Sequence, residues 1–222
     1  MHSANENQSG QILSYPGHLP EKTGIILIGT VHRLEPLKKV LKELLLKLKP
    51  GLITVEISPF SVSYRRRQER VWIKKLENLK TQNLSDEILR ALKKILEMPY
   101  EYLVPKDLGL CPVVPVDLNK PSQKYLREVE KLLENPSLFE VGDPLRELAY
   151  LRLFLEGLYR PQREAEDLAR EEFMARKIKR LFSLRKPLVH IGGWRHLPGL
   201  LALLPEASAI CLTPLPDPEK FS

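Results

Sequence analysis

The stretch Ile25-Ile26-Leu27-Ile28-Gly29-Thr30-Val31-His32 is an unbroken aliphatic run closed by a glycine and, three residues on, a histidine. A short run apolar at every position reads as a strand covered on both faces, the habit of parallel sheets in α/β proteins. Toward the other end, Leu188-Val189-His190-Ile191-Gly192-Gly193-Trp194-Arg195-His196 repeats the arrangement: apolar run, glycine, two residues, histidine. These runs are expected as strands over 24–29 and 188–192. In an open α/β sheet ligands gather beyond the carboxyl ends of the strands, so both histidines are delivered to the edge where a site forms.

Working outward, residues 34–49 place Leu37, Val40, Leu41, Leu44, Leu45 and Leu48 on one helical face with lysines opposite. Pro50-Gly51 is expected to stop that helix, and Leu52-Ile53-Thr54-Val55-Glu56-Ile57 to form a second strand. Strand, helix, strand implies a parallel pair joined by a crossover. Residues 63–98 read as charged helix, with a break and fresh N-cap at Asn83-Leu84-Ser85-Asp86. A short strand is expected at 113–117, and helices at 122–133, 144–159 and 162–183. Asp143 caps the middle one, with Pro144 at its first position. The chain then returns to strand 188–192, helix 197–204 and strand 209–212. The reading is therefore a single α/β domain over 23–213. Its sheet is mostly parallel, of about four or five strands, with flanking helices and a helical insertion (about 63–110 and 121–183 mainly helical). Residues 1–22 are expected as a flexible leader and 214–222 as a tail.

Composition narrows the function classes. The chain has 222 residues, 43% of them apolar, enough for a substantial core. Lysine and arginine (35) exceed aspartate and glutamate (28), for a formal charge of +7. No recognition module accompanies that charge, so nucleic acid is not expected as a partner. No run approaches the ~18 apolar residues of a membrane span, and a cytoplasmic protein without membrane association is the expectation. Homo-oligomerisation is compatible with this composition. Cys111 and Cys211 match no zinc spacing and are expected as buried free thiols.

Several side chains are candidates for chemistry. Gly29 and Gly193 let the backbone pass close to a ligand, and His32 and His196 then project into the crevice. Glu56 lies in a run that otherwise looks buried, where a carboxylate requires a metal or an ionic partner. Arg65, Arg66, Arg67 and Arg70 are alternative partners for it. Asp117 either reaches the same edge or caps the turn at Asn119-Lys120-Pro121. Arg170, followed by Glu171, shares a helical face with Met174 and either enters the site or is solvated. His190, within its strand, reads as a packed histidine; His2 and His18 fall in the leader. His, Glu and His at one strand-end crevice suit metal binding and hydrolysis.

Taken together these segments resemble the TraB/PrgY-like family, within the wider group of Tiki proteases and ChaN-like and erythromycin-esterase-like proteins. The resemblance runs from Ile28-Gly29-Thr30-Val31-His32 through Lys49-Pro50-Gly51-Leu52-Ile53-Thr54-Val55-Glu56 and Pro112-Val113-Val114-Pro115-Val116-Asp117. It continues with Arg170-Glu171, Met174-Ala175 and Val189-His190-Ile191-Gly192-Gly193-Trp194-Arg195-His196-Leu197. It implies an α/β fold and a metal-dependent hydrolase acting on a peptide or small amide. His32, Glu56 and His196 would be ligands to a divalent ion (manganese, cobalt, zinc or iron), and Glu56 and Arg170 the catalytic pair. ChaN-like relatives bind haem, so a non-catalytic peptide- or haem-binding protein using the same crevice is the alternative.

Overall fold

The structure is a computed structural model that describes residues 12–16, 19, 24–81, 84–136 and 143–214. Its strands are β1 (Ile12–Tyr15), β2 (Ile25–Thr30), β3 (Leu52–Val55), β4 (Val113–Pro115), β5 (Leu188–Gly193) and β6 (Ala207–Leu212). Its helices are α1 (Pro36–Leu48), α2 (Pro59–Thr81), α3 (Asp86–Leu96), α4 (Tyr100–Leu108), α5 (Asn119–Glu134), α6 (Pro144–Leu155), α7 (Ala165–Phe182) and α8 (Leu197–Leu203). The six strands make one sheet in the order β1-β6-β2-β5-β3-β4, every pairing parallel. The α/β reading holds, with one strand more than expected.

That extra strand corrects the flexible leader. Ile12–Tyr15 adds to the sheet edge beside Ala209–Leu212, buries Tyr15 and receives Lys47 Nζ on the tyrosine hydroxyl at 2.9 Å. Its alternation was too brief to stand out among prolines and polar residues. The rest of the leader, with His2 and His18, and the tail from 215 lie outside the described residues.

β2 and β3 are parallel, but they do not pair directly. β5 inserts between them, in register Ile28↔Ile191 on one side and Val55↔Ile191 on the other. This insertion sets up everything at the carboxyl edge. The second Gly-x-x-His segment lies between the first and the strand that Glu56 follows.

β2 and β5 are buried along their whole lengths, as their aliphatic runs require. Helix α1 presents Leu37, Leu41, Leu44, Leu45 and Leu48 to the core. It ends at Lys49 in the left-handed region (φ 48°), one residue before the Pro50-Gly51 expected to stop it. The expected break inside 63–98 is real: Ser85 caps α3 by accepting from the Ile88 N–H at 3.3 Å. Helices α2, α3 and α5 enclose a second, smaller core around Trp72, Leu92, Leu126 and Val129. Among the described residues no helix is long and apolar enough to cross a membrane. Cys211 is buried and its thiol pushed up to about 12 by burial, while Cys111 is only partly buried; both are free.

Candidate functional site

The two Gly-x-x-His segments pack on each other reciprocally. Gly29 and Gly192 are partners across the β2–β5 pairing, as are Thr30 and Gly193. A Cβ on Gly29 would stand 2.6 Å from Leu197 Cδ1 and 3.0 Å from Trp194 Cα, in the turn that carries His196. A Cβ on Gly193 would stand 2.9 Å from His32 Nε2 and 3.6 Å from Glu56 Oε2. Each glycine thus leaves room for the other segment. Neither has a positive φ, so close packing rather than a sharp turn is what excludes a side chain there.

Glu56 follows β3 directly, its side chain 4% exposed. Both of its oxygens are engaged. Oε2 accepts from the Gly193 N–H at 2.7 Å. Oε1 accepts from Arg170 Nη2 at 2.6 Å and lies 3.3 Å from His196 Nε2. The run after Ser63 has a different task. Arg65 is buried and donates to the carbonyls of Ile95, Leu96 and Glu97, closing the end of α3, whereas Arg66 and Arg67 are exposed.

Arg170 is the hub, and the solvated reading fails for it. Besides Glu56 it forms a two-point pair with Asp117, Nε to Oδ1 at 3.1 Å and Nη2 to Oδ2 at 2.9 Å. Such bidentate charge-assisted pairs fix orientation as well as charge. Asp117 thus reaches the carboxyl edge, and Oδ1 also accepts from the Leu118 N–H at 2.7 Å; it does not cap α5, whose N-cap residue is Leu118 with no side-chain cap. Met174 packs behind, fully buried. Next to Arg170, Glu171 is 1% exposed and takes His196 Nδ1 at 3.1 Å on one oxygen and Arg163 Nη1 at 3.2 Å on the other.

His196 therefore lies between two carboxylates, one on each nitrogen. Burial alone would lower its pKa, but Glu56 and Glu171 outweigh it and raise the imidazole to about 10. Glu56 responds in the opposite sense: burial would raise it, but His196, Arg170 and His32 hold it far below the carboxylate range. His190 is fully buried against Thr54 Oγ1 at 3.0 Å, and burial pushes it down to about 4. The packed histidine expected from the sequence is what the fold contains.

His32 differs from both. Its side chain is 52% exposed while Nδ1 is bound to Glu101 Oε1 at 2.7 Å. Glu101, on the first turn of α4, is 2% exposed and was not among the residues singled out from sequence. A glutamate between two tyrosines just after Pro99 is its only trace there. Tyr100 beside it donates to Val31 O at 3.1 Å, so this turn of α4 holds both the His32 ring and the backbone just before it.

The resemblance implies a divalent metal held by His32, Glu56 and His196. His32, Glu56 and His196 do converge. Yet Glu56 already faces a guanidinium and an N–H, and His196 offers no free lone pair while both its nitrogens face carboxylates. Among the described residues no group of three or more His, Cys, Asp or Glu side chains is disposed to hold a metal ion. In this arrangement the residues do not fit a divalent metal, and Arg170 provides the positive charge opposite Glu56.

Compared with protein-family models, curated proteins and solved structures, the chain matches none. The likeness to TraB-like proteins thus rests on the quoted motifs alone, as an expectation and not a membership.

Proposed function

We propose that the chain is a hydrolase of peptide or other amide bonds, with its site at the crevice of His32, Glu56, Arg170 and His196. One observation supports this above all. Four side chains, from the segments just after β2 and β3, from α7 and from the turn after β5, remote in sequence, meet at the carboxyl edge of the sheet, and solvent reaches them at His32. Amide hydrolysis needs a proton acceptor for the attacking water and positive charge where the tetrahedral oxygen develops negative charge. His32 has the exposure for the first. Arg170 provides the second through Nη1, the terminal nitrogen that neither Glu56 nor Asp117 takes, and those two carboxylates hold it in place so that it need not reorganise as charge develops.

A second reading keeps the metal, and a specific observation favours it. Each crevice imidazole has its Nδ1 on a buried carboxylate, Glu101 or Glu171, an arrangement that metal-ligating histidines share. It requires Arg170 to withdraw from Glu56.

The test is a screen of ester, amide and peptide substrates in chelator, then with added manganese, cobalt, zinc or iron, paired with metal analysis of the purified protein. Turnover in chelator, lost about 10²–10³-fold in Arg170→Met, is the expected result. Turnover only with metal, together with about one bound ion, favours the second reading. Tight peptide or haem binding without turnover, unchanged in Glu56→Gln, would make the chain a binding protein.

A further inference from the structure

Three histidines stand at or beneath the crevice, and their nitrogens differ in availability. His196 has both engaged by carboxylates. His190 has an unpartnered Nε2, but the residue is fully buried. His32 alone combines an exposed ring with one nitrogen tied and the other without a hydrogen-bond partner among the described residues. That second nitrogen, Nε2, lies over Gly193, within 2.9 Å of where a Cβ would be.

The tie is built with some care. Glu101 is an almost fully buried carboxylate, and such a group needs a donor or a cation. It has two neighbours on one oxygen, His32 Nδ1 at 2.7 Å and Thr30 Oγ1 at 3.1 Å. The other oxygen has none. Thr30 also approaches Gly192 O at 3.1 Å, which connects the carboxylate to β5. The backbone adds a further sign: Arg33 has φ 63°, the left-handed region that a non-glycine residue adopts at a cost. That conformation sets the exit of the chain from His32.

We propose that Glu101 is the positioning carboxylate of His32, holding its imidazole with the proton on Nδ1 and turning Nε2 into the crevice as the proton acceptor. Glu101 touches no substrate; it acts through His32, and Thr30 holds Glu101. The role deepens the hydrolase reading and rests on it for its purpose. The arrangement is that of a base oriented by a third group. The direction of the His32 shift agrees: against partial desolvation at the crevice wall, the Glu101 carboxylate on Nδ1 holds the imidazole above its ordinary value.

The first two readouts do not depend on turnover. Nitrogen NMR of histidine-labelled protein in chelator, above the His32 titration, reports the tautomer without any variant; the expected signal is a protonated Nδ1 and a bare Nε2. Diethyl pyrocarbonate then probes Nε2, with its rate at His32 followed by mass spectrometry across pH. The expected midpoint lies above the ordinary histidine value and moves down in Glu101→Gln, while Glu171→Gln leaves it in place. A proton on Nε2 in the wild type, or coincident profiles for wild type and Glu101→Gln, overturns the proposal. A confirmed tautomer in a protein that hydrolyses nothing would sink the hydrolase reading alone. Turnover unaffected by Glu101→Gln would sink this one alone.

Discussion

At the scale of single residues, two arginines of this chain show how burial decides the value of an ion pair. Arg195 pairs with Glu147 through two hydrogen bonds, but both side chains are 42% exposed. Exposed pairs contribute about 0–1 kcal/mol even when well formed. Arg170 faces Glu56 and Asp117, whose side chains are 4% and 6% exposed. Removing one partner of a buried pair costs about 3–5 kcal/mol, because the other charge is left without compensation. Arg170→Met is therefore expected to lower stability by that amount in urea unfolding, and Arg195→Met by less than about 1 kcal/mol. Equal losses would mean that Glu56 and Asp117 do not rely on Arg170. The sequence showed Arg170 as a charge on a charged helix and Arg195 in a turn of glycine, tryptophan and histidine. What separates them is which carboxylates the fold returns to α7, and helical spacing contains no record of that.

At the scale of elements, α7 and α8 meet at a glycine that governs His196. A Cβ on Gly199 would fall 1.8 Å from Glu171 Oε2 and 2.6 Å from Arg163 Nη1, both at the ends of flexible side chains. Gly199→Ala is expected to fold, at a cost of about 1–3 kcal/mol, by turning Glu171 away from His196. NMR titration would then show His196 moving back toward the ordinary histidine value. An unmoved His196 would mean that Glu171 keeps its place by some other adjustment. Gly29→Ala should be less forgiving, since Trp194 Cα is backbone and cannot turn aside. The elements that announce themselves by period or capping were legible: the aliphatic strands, α1 with its leucine face, and the Asp143-Pro144 start of α6, where Asp143 accepts from the Leu145 N–H at 2.8 Å. Helix α4 was blurred by Pro99 before it and Pro105 within it, and Glu101 was hidden with it. The convergence of His32, Glu56 and His196 was legible because all three follow strand-like runs. The placement of β5 between β2 and β3 was not, because it depends on pairings between segments more than a hundred residues apart.

At the scale of the whole molecule, two buried histidines with opposite shifts set the pH at which the fold is most stable. His190 titrates at about 4 in the folded chain against 6.5 ordinarily, because burial disfavours its charged form. Between those values the unfolded chain takes up a proton that the folded chain refuses, so stability falls as pH drops from 6.5 toward 4. His196 titrates at about 10 against the same 6.5, because Glu56 and Glu171 hold its proton against the effect of burial and of Arg170. Its contribution is complete below 6.5 and is lost as pH rises toward 10. Glu56, held low, contributes fully above its ordinary value of 4.5 and loses that contribution as pH falls further, which steepens the acid side. Stability should therefore peak near pH 6.5 and decline in both directions, as read from urea midpoints at several pH values. His190→Asn is expected to flatten the acid limb between 4 and 6.5, and His196→Gln the alkaline limb above 6.5. Stability that kept rising from neutral to alkaline pH would show that the imidazole of His196 is not bound between its two carboxylates in solution.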